Sequence, residues 1–118
     1  MNEFVVEGGN TLNGEIIISG NKNAILPMIA ASLLTDKELI LRNAPDILDV
    51  RSMIEIAASL GVESSFIGKV LTLKASKIIR TEISEELSSK LRASILFAGP
   101  LLARCGSAKI AAPGGDRI

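Results

Sequence analysis

Two apolar runs free of charge dominate the sequence, Ala24 to Leu34 and Ala93 to Ala103, each 11 residues long. A membrane span needs about 20 apolar residues. Both runs are therefore too short to cross a bilayer and read as helices buried in a protein core. The first is apolar almost all round, through Ala24, Ile25, Leu26, Met28, Ile29, Ala30, Ala31, Leu33 and Leu34. A helix without a polar face must be covered on nearly every side. Pro27 falls in its first turns, where a missing N–H costs little. With 118 residues, 47% of them hydrophobic, the chain can build one modest core and not two.

The rest of the chain mixes strand and helix signals. Phe4 to Val6 and Glu15 to Ser19 read as short strands, punctuated by Gly8, Gly9 and Asn13-Gly14. Leu39 to Arg42 reads as a strand ended by Asn43-Ala44-Pro45. Asp46 or Asp49 can cap the next helix, in which Val50, Met53, Ile54, Ala57 and Leu60 keep a 3.6-residue period up to Gly61. Val62 to Phe66 and Val70 to Lys74 alternate around Gly68 and predict a hairpin. Ser84 caps a third helix, with Leu87, Leu91, Ile95, Ala98 and Leu102 on one face, kinked or ended near Pro100 and closed by Gly106. Ser107 to Ala112 reads as a last strand before the loop Pro113-Gly114-Gly115-Asp116-Arg117-Ile118. The fold class is α/β (α+β). A faint internal echo places Lys22 and Arg92 each three residues before an Ile-Leu pair.

Composition excludes several functions. Charge is balanced, 13 Lys+Arg against 13 Asp+Glu, which argues against non-specific nucleic-acid binding and a polybasic membrane patch. There is no His, and the single Cys excludes an internal disulfide and a Cys-rich zinc site. No metal or cofactor is expected. The polar start Met1-Asn2-Glu3 lacks a signal-peptide pattern, and the expected location is the cytoplasm.

Three places could carry chemistry. Ser19-Gly20-Asn21-Lys22-Asn23 joins a strand to a helix start, where free N–H groups, the helix dipole and Lys22 favour a phosphate or carboxylate. The plain alternative is a turn with a solvated lysine. Arg92 could snorkel to water or grip a diphosphate with two parallel hydrogen bonds. Asp116 follows paired glycines and could act as a general acid on a closing loop, or be a solvated turn residue. Cys105, at a helix carboxyl end where the dipole disfavours a thiolate, reads as a small, partly buried hydrophobe.

The segments Leu12-Asn13-Gly14-Glu15, Ile18-Ser19-Gly20, Lys22-Asn23-Ala24, Leu26-Pro27, Asn43-Ala44-Pro45-Asp46, Asp49-Val50-Arg51, Leu60-Gly61-Val62, Arg92-Ala93-Ser94-Ile95-Leu96, Gly99-Pro100-Leu101-Leu102-Ala103-Arg104 and Pro113-Gly114-Gly115 occur in one order across the chain. In that order and spacing they resemble the UDP-N-acetylglucosamine 1-carboxyvinyltransferase family of enolpyruvyltransferases. The sister family that makes enolpyruvylshikimate phosphate has a different lysine-loop signature. The resemblance implies an enolpyruvyltransferase-like fold of repeated βαβαββ units, of which this chain is the amino-terminal part. Residues 1–20 would belong to a domain completed by a missing carboxyl-terminal part of the same chain. Residues 21–118 would begin the other domain and end in the active-site loop.

The resemblance also implies a reaction, transfer of the carboxyvinyl group of phosphoenolpyruvate to the 3-hydroxyl of UDP-N-acetylglucosamine, the first committed step of peptidoglycan synthesis. Carried over by position, Lys22 and Asn23 would contact phosphoenolpyruvate, Arg92 would hold the UDP-sugar, and Asp116 would be the proton donor. The family usually has Cys at the position of Asp116, and some members have Asp. Fosfomycin alkylates that Cys, so insensitivity to it is expected here. Arg117 replaces a small residue. Further family residues, including an Asp base and phosphate-binding arginines, would lie beyond Ile118, and the chain alone is expected to be inactive. The alternatives are a stand-alone module for phosphate or a nucleotide sugar, and a non-catalytic structural fragment.

Overall fold

The computed structural model describes residues 2–112 and Gly114. Helix α1 (Lys22–Ala31) runs into a 3-10 turn (Ser32–Leu34), then strand β1 (Glu38–Leu41) and helix α2 (Leu48–Leu60). Strands β2 (Glu63–Ile67), β3 (Val70–Lys74) and β4 (Glu82–Ile83) follow. Helix α3 (Glu85–Ser88), a 3-10 helix (Arg92–Phe97), helix α4 (Ala98–Cys105) and strand β5 (Lys109–Ile110) complete the order. β1, β3 and β2 form an antiparallel sheet in that order, and β4 pairs with β5 in parallel.

The core is the product of two periodicities. On α2 the 3.6-residue repeat buries Val50, Met53, Ile56, Ala57 and Leu60. On β3 the two-residue repeat buries Leu71 and Leu73, each flanked across the sheet, Leu41 and Phe66 beside Leu71, Leu39 and Ser64 beside Leu73. Ile29 and Leu33 from the first apolar run and Phe97 and Leu101 from the second fill the space between, all with no exposed surface. The expected turn between β2 and β3 holds, with Gly68 at φ 60°. Gly61 ends α2 at φ 108°, and a Cβ there would stand 2.6 Å from the Lys77 carbonyl oxygen, so both backbone conformation and space require glycine.

Several expectations are corrected. Phe4–Val6 and Glu15–Ser19 are not strands: with no partner among the described residues, the segment takes no regular structure, and Phe4, Val6, Ile16 and Ile18 are at least 80% exposed. The first apolar helix is covered on one side only, because α2 and the second run occupy that side, and Met28 and Leu34 remain exposed. Pro27 is the sixth residue of α1, beyond the first turn, and the Asn23 carbonyl cannot accept the usual bond from it. α2 is preceded by Ile47 without a side-chain cap, because Asp46 and Asp49 are engaged elsewhere.

The third helix is three pieces. Leu91 is extended at φ −156°, and beyond it the chain winds as a 3-10 helix. With three residues per turn, burial falls on Leu91, Ser94 and Phe97 and leaves Ile95 exposed, contrary to an α-helical stripe. Leu102, expected on the same stripe, is also exposed. Pro100 does not end a helix but sits third in α4, where its missing N–H is not required. Cys105 is exposed. β4 was not expected, and the last strand is shorter than Ser107 to Ala112.

Two polar ties hold the outer elements. Arg104 donates from Nη1 to the Leu33 and Thr35 carbonyls at 3.0 and 3.1 Å, and from Nη2 to the Ser76 carbonyl at 3.2 Å. It joins the end of the first apolar run to the segment after β3. Arg51 makes a bidentate pair with Asp46 at 2.6 and 2.7 Å and lies over the Phe66 ring, 4.8 Å from its centre.

Arg104→Met should cost about 2 kcal/mol, since hydrogen bonds from a charged donor are lost and only partly replaced by water. A fall in the urea midpoint at unchanged slope checks this. The Asp46 carboxyl is held below its ordinary 3.8 by the hydrogen bonds from Arg51, aided by the guanidinium charge. A lowered folded value means that its contribution is complete above the unfolded carboxylate's range and is lost as pH falls through the folded value. Asp46→Asn should therefore lower the unfolding temperature at pH 7, and the difference should shrink as the pH falls through the acid range, as paired thermal melts would record.

Candidate functional site

A cleft of about 520 Å³ opens where the start of α1, the first turn of α2 and the 3-10 helix meet. Its polar lining is Lys22, Asn23, Asp49, Lys90 and Arg92, over an apolar floor that includes Leu26 and Leu91. Lys22 and Arg92 are 70 positions apart in the chain and belong to different elements, yet both stand on this wall because α1 packs against α2 and against the 3-10 helix.

Each polar residue is placed by a local feature. Lys22 and Asn23 are the first two residues of α1, whose entry is fixed by the Asn21 side-chain oxygen accepting from the Ala24 N–H at 3.1 Å. That cap consumes one of the orphan donors of the helix start, so attraction for an anion rests chiefly on the side chains. Lys22 Nζ lies 2.7 Å from Asp49 Oδ2, with the lysine about half exposed and the aspartate less so. Lys90 Nζ lies 3.0 and 2.8 Å from the two oxygens of Glu55, which comes from the middle of α2. Arg92 opens the 3-10 helix, is exposed, and makes no ion pair or side-chain hydrogen bond among the described residues.

Behind the 3-10 helix the backbone turns tightly. The Ser88 carbonyl accepts from the Gly114 N–H at 2.9 Å and from Ser94 Oγ at 3.3 Å. A Cβ on Gly114 would overlap the Ser89 carbonyl group, so glycine is needed for this approach. The chain after β5 is thus tied to the corner between α3 and Arg92. Ser88 Oγ is itself buried without a hydrogen-bond partner among the described residues. Asp116 lies outside the described residues.

The structure brings together Lys22, Asn23 and Arg92. Sequence reasoning missed Asp49 as a partner of Lys22, having taken it for a helix cap, and missed Glu55 and Lys90 altogether. The echo of Lys22 and Arg92 has a spatial counterpart, since both begin a helical element at the cleft, but Ile25 is buried where Ile95 is half exposed. Three cations and one carboxylate line an open, part-apolar cleft, an arrangement suited to anionic groups attached to an organic body. Among the described residues there is no cluster of His, Cys, Asp and Glu that could hold a metal ion, and no helix long and apolar enough to cross a membrane.

Relatives named UDP-N-acetylglucosamine 1-carboxyvinyltransferase match over 119 residues at 49% identity in Treponema denticola and over 118 residues at 45% identity in Borreliella burgdorferi. Both matches cover 100% of this chain, which spans 28% of the length of each relative. The crystal structure of the enolpyruvyl transferase NikO from Streptomyces tendae superposes with a TM-score of 0.75 at 28% identity, covering 86% of this chain and 24% of that one. The fold expected from the sequence is therefore the observed one. The family model described as EPSP synthase (3-phosphoshikimate 1-carboxyvinyltransferase) matches residues 6–118, and the chain belongs to this family of carboxyvinyltransferases.

Proposed function

We propose that this chain forms one wall of an active site that transfers the carboxyvinyl group of phosphoenolpyruvate to the 3-hydroxyl of UDP-N-acetylglucosamine, in the cytoplasm and at the entry to peptidoglycan synthesis. The observation that carries the reading is the convergence of Lys22, Asn23 and Arg92, from separate elements, on a single cleft. The names of the relatives support UDP-N-acetylglucosamine as the acceptor and carboxyvinyl as the group transferred.

In the proposed reaction the sugar hydroxyl oxygen bonds to C2 of phosphoenolpyruvate while the methylene carbon gains a proton to become methyl, and the hydroxyl proton is taken up by a base. The C2–O bond to phosphate then breaks, a methyl proton leaves, and the enolpyruvyl ether and phosphate are released. Lys22 binds an anionic group of phosphoenolpyruvate, exchanging Asp49 for its ligand, and Asn23 adds amide donors. Arg92 grips the UDP-sugar with its planar donor fork. Asp116, two residues beyond the Gly114 anchor, donates the proton to the methylene carbon. The base and further phosphate ligands come from elsewhere, and one wall of a cleft gives no turnover alone.

Residues 1–20 are assigned to a second domain completed by a further part of the polypeptide, with 21–118 beginning the first. The exposed Phe4, Val6, Ile16 and Ile18 support this, since so much apolar surface in one segment favours a covering partner.

Phosphate release by the longest native chain that contains these residues should require both substrates. Lys22→Ala should reduce it by about a hundredfold or more, the scale on which a lost charge-stabilising donor acts. Release without dependence on UDP-N-acetylglucosamine, or unaffected by Lys22→Ala, would remove the reading. Because a carboxylate stands where fosfomycin would alkylate a thiol, the same activity should resist that compound, and mass spectrometry should find no adduct at residue 116.

A further inference from the structure

We infer that Glu55 sets the anion selectivity of the cleft by masking Lys90, which leaves Arg92 as the cation on that wall open to a diphosphate. The inference rests on the nucleotide-sugar reading above and concerns how that site distinguishes its ligand from other polyanions. Lys90 lines the cleft two residues before Arg92, and both Glu55 oxygens lie within 3.0 Å of its ammonium. The two residues are 35 positions apart, so the pair exists only once α2 has packed beside the corner after α3. Leu91 between Lys90 and Arg92 is 5% exposed and extended, which anchors the backbone that carries both cations.

The charge pattern has a direction. Lys22 is paired with Asp49 and Lys90 with Glu55, both acids from α2, while Arg92 has no acidic partner among the described residues. A lysine is a point charge that accepts an anion in almost any geometry, whereas the arginine fork favours two parallel hydrogen bonds to a diphosphate. Three unmasked cations would draw in any small polyanion. Masking Lys90, in addition to the pairing of Lys22 with Asp49, lowers that general attraction and leaves the geometric one, which is discrimination by removing affinity for the wrong partner. Lys90 and Glu55 are 37% and 55% exposed, so the effect is moderate, on the order of 2- to 5-fold, as for a partly solvated charge pair.

The test measures equilibrium binding of inorganic pyrophosphate and of UDP-N-acetylglucosamine to the longest native chain containing these residues. It compares the unaltered protein with Glu55→Gln, Lys90→Gln and the double variant. Glu55→Gln should bind pyrophosphate about 2- to 5-fold more tightly, with a steeper salt dependence, so that its preference for the UDP-sugar narrows. The double variant should return to the original affinity, and Lys90→Gln alone should shift it by less than about 2-fold, because the masked charge contributes little. Unchanged pyrophosphate binding in Glu55→Gln overturns the inference. So does a gain that survives in the double variant, or a large loss in Lys90→Gln. An unaltered protein with no affinity for UDP-N-acetylglucosamine defeats the nucleotide-sugar reading instead, while the pyrophosphate series still decides whether Glu55 masks Lys90.

Discussion

The burial of α2 is the constraint on which the cleft depends. Val50, Met53, Ile56 and Leu60 have no exposed surface, and they face α1 on one side and the sheet on another. Shifting this helix would open voids that close-packed interiors tolerate poorly, at about 24 cal/mol per Å³ of cavity. The polar face of the same helix carries Asp49 and Glu55 to the two lysines. Packing and electrostatics are therefore coupled, because the residues that bury α2 also set where its carboxylates stand.

The elements legible in the sequence were those whose periodicity was interrupted by polar residues. α2 alternates buried Val50, Met53 and Ala57 with exposed Arg51 and Glu55, and its period is unmistakable. Gly61 and Gly68 mark conformations that other residues adopt only with strain. The run from Ala93 to Ala103 carries no charge, so nothing in it distinguishes a repeat of 3.0 from one of 3.6, and the 3-10 winding at Arg92–Phe97 was hidden. Two-residue strands such as β4 have too little pattern to detect. They exist because a distant partner, β5, supplies the pairing.

The cleft was legible only in part, for a related reason. Lys22, Asn23 and Arg92 could each be named from local chemistry and from the order of short motifs. Their convergence is a tertiary fact. Asp49 has the look of a helix-start acid, and in the first turn of α2 that description is true. Its contact with Lys22 depends on how α1 is seated. Glu55 and Lys90 carry no local signature, since an exposed acid on a helix and a lysine after a turn are the commonest of surface residues.

The hydrogen bonds of Arg104 span 71 positions to Leu33 and 69 to Thr35, so they close a loop that contains most of the core. Contacts so far apart in sequence form late, since the entropy of closing the loop is lost before the contact rewards it. On a ribosome, where the chain emerges from its amino end at about 5–20 residues per second, α1 waits several seconds for the segment that covers it. During that interval α2, its main neighbour, is already available to cover part of its apolar side. Among the described helices α4 is the last to emerge, and until it docks the Leu33 end of the first apolar run lacks the neighbour that completes its burial.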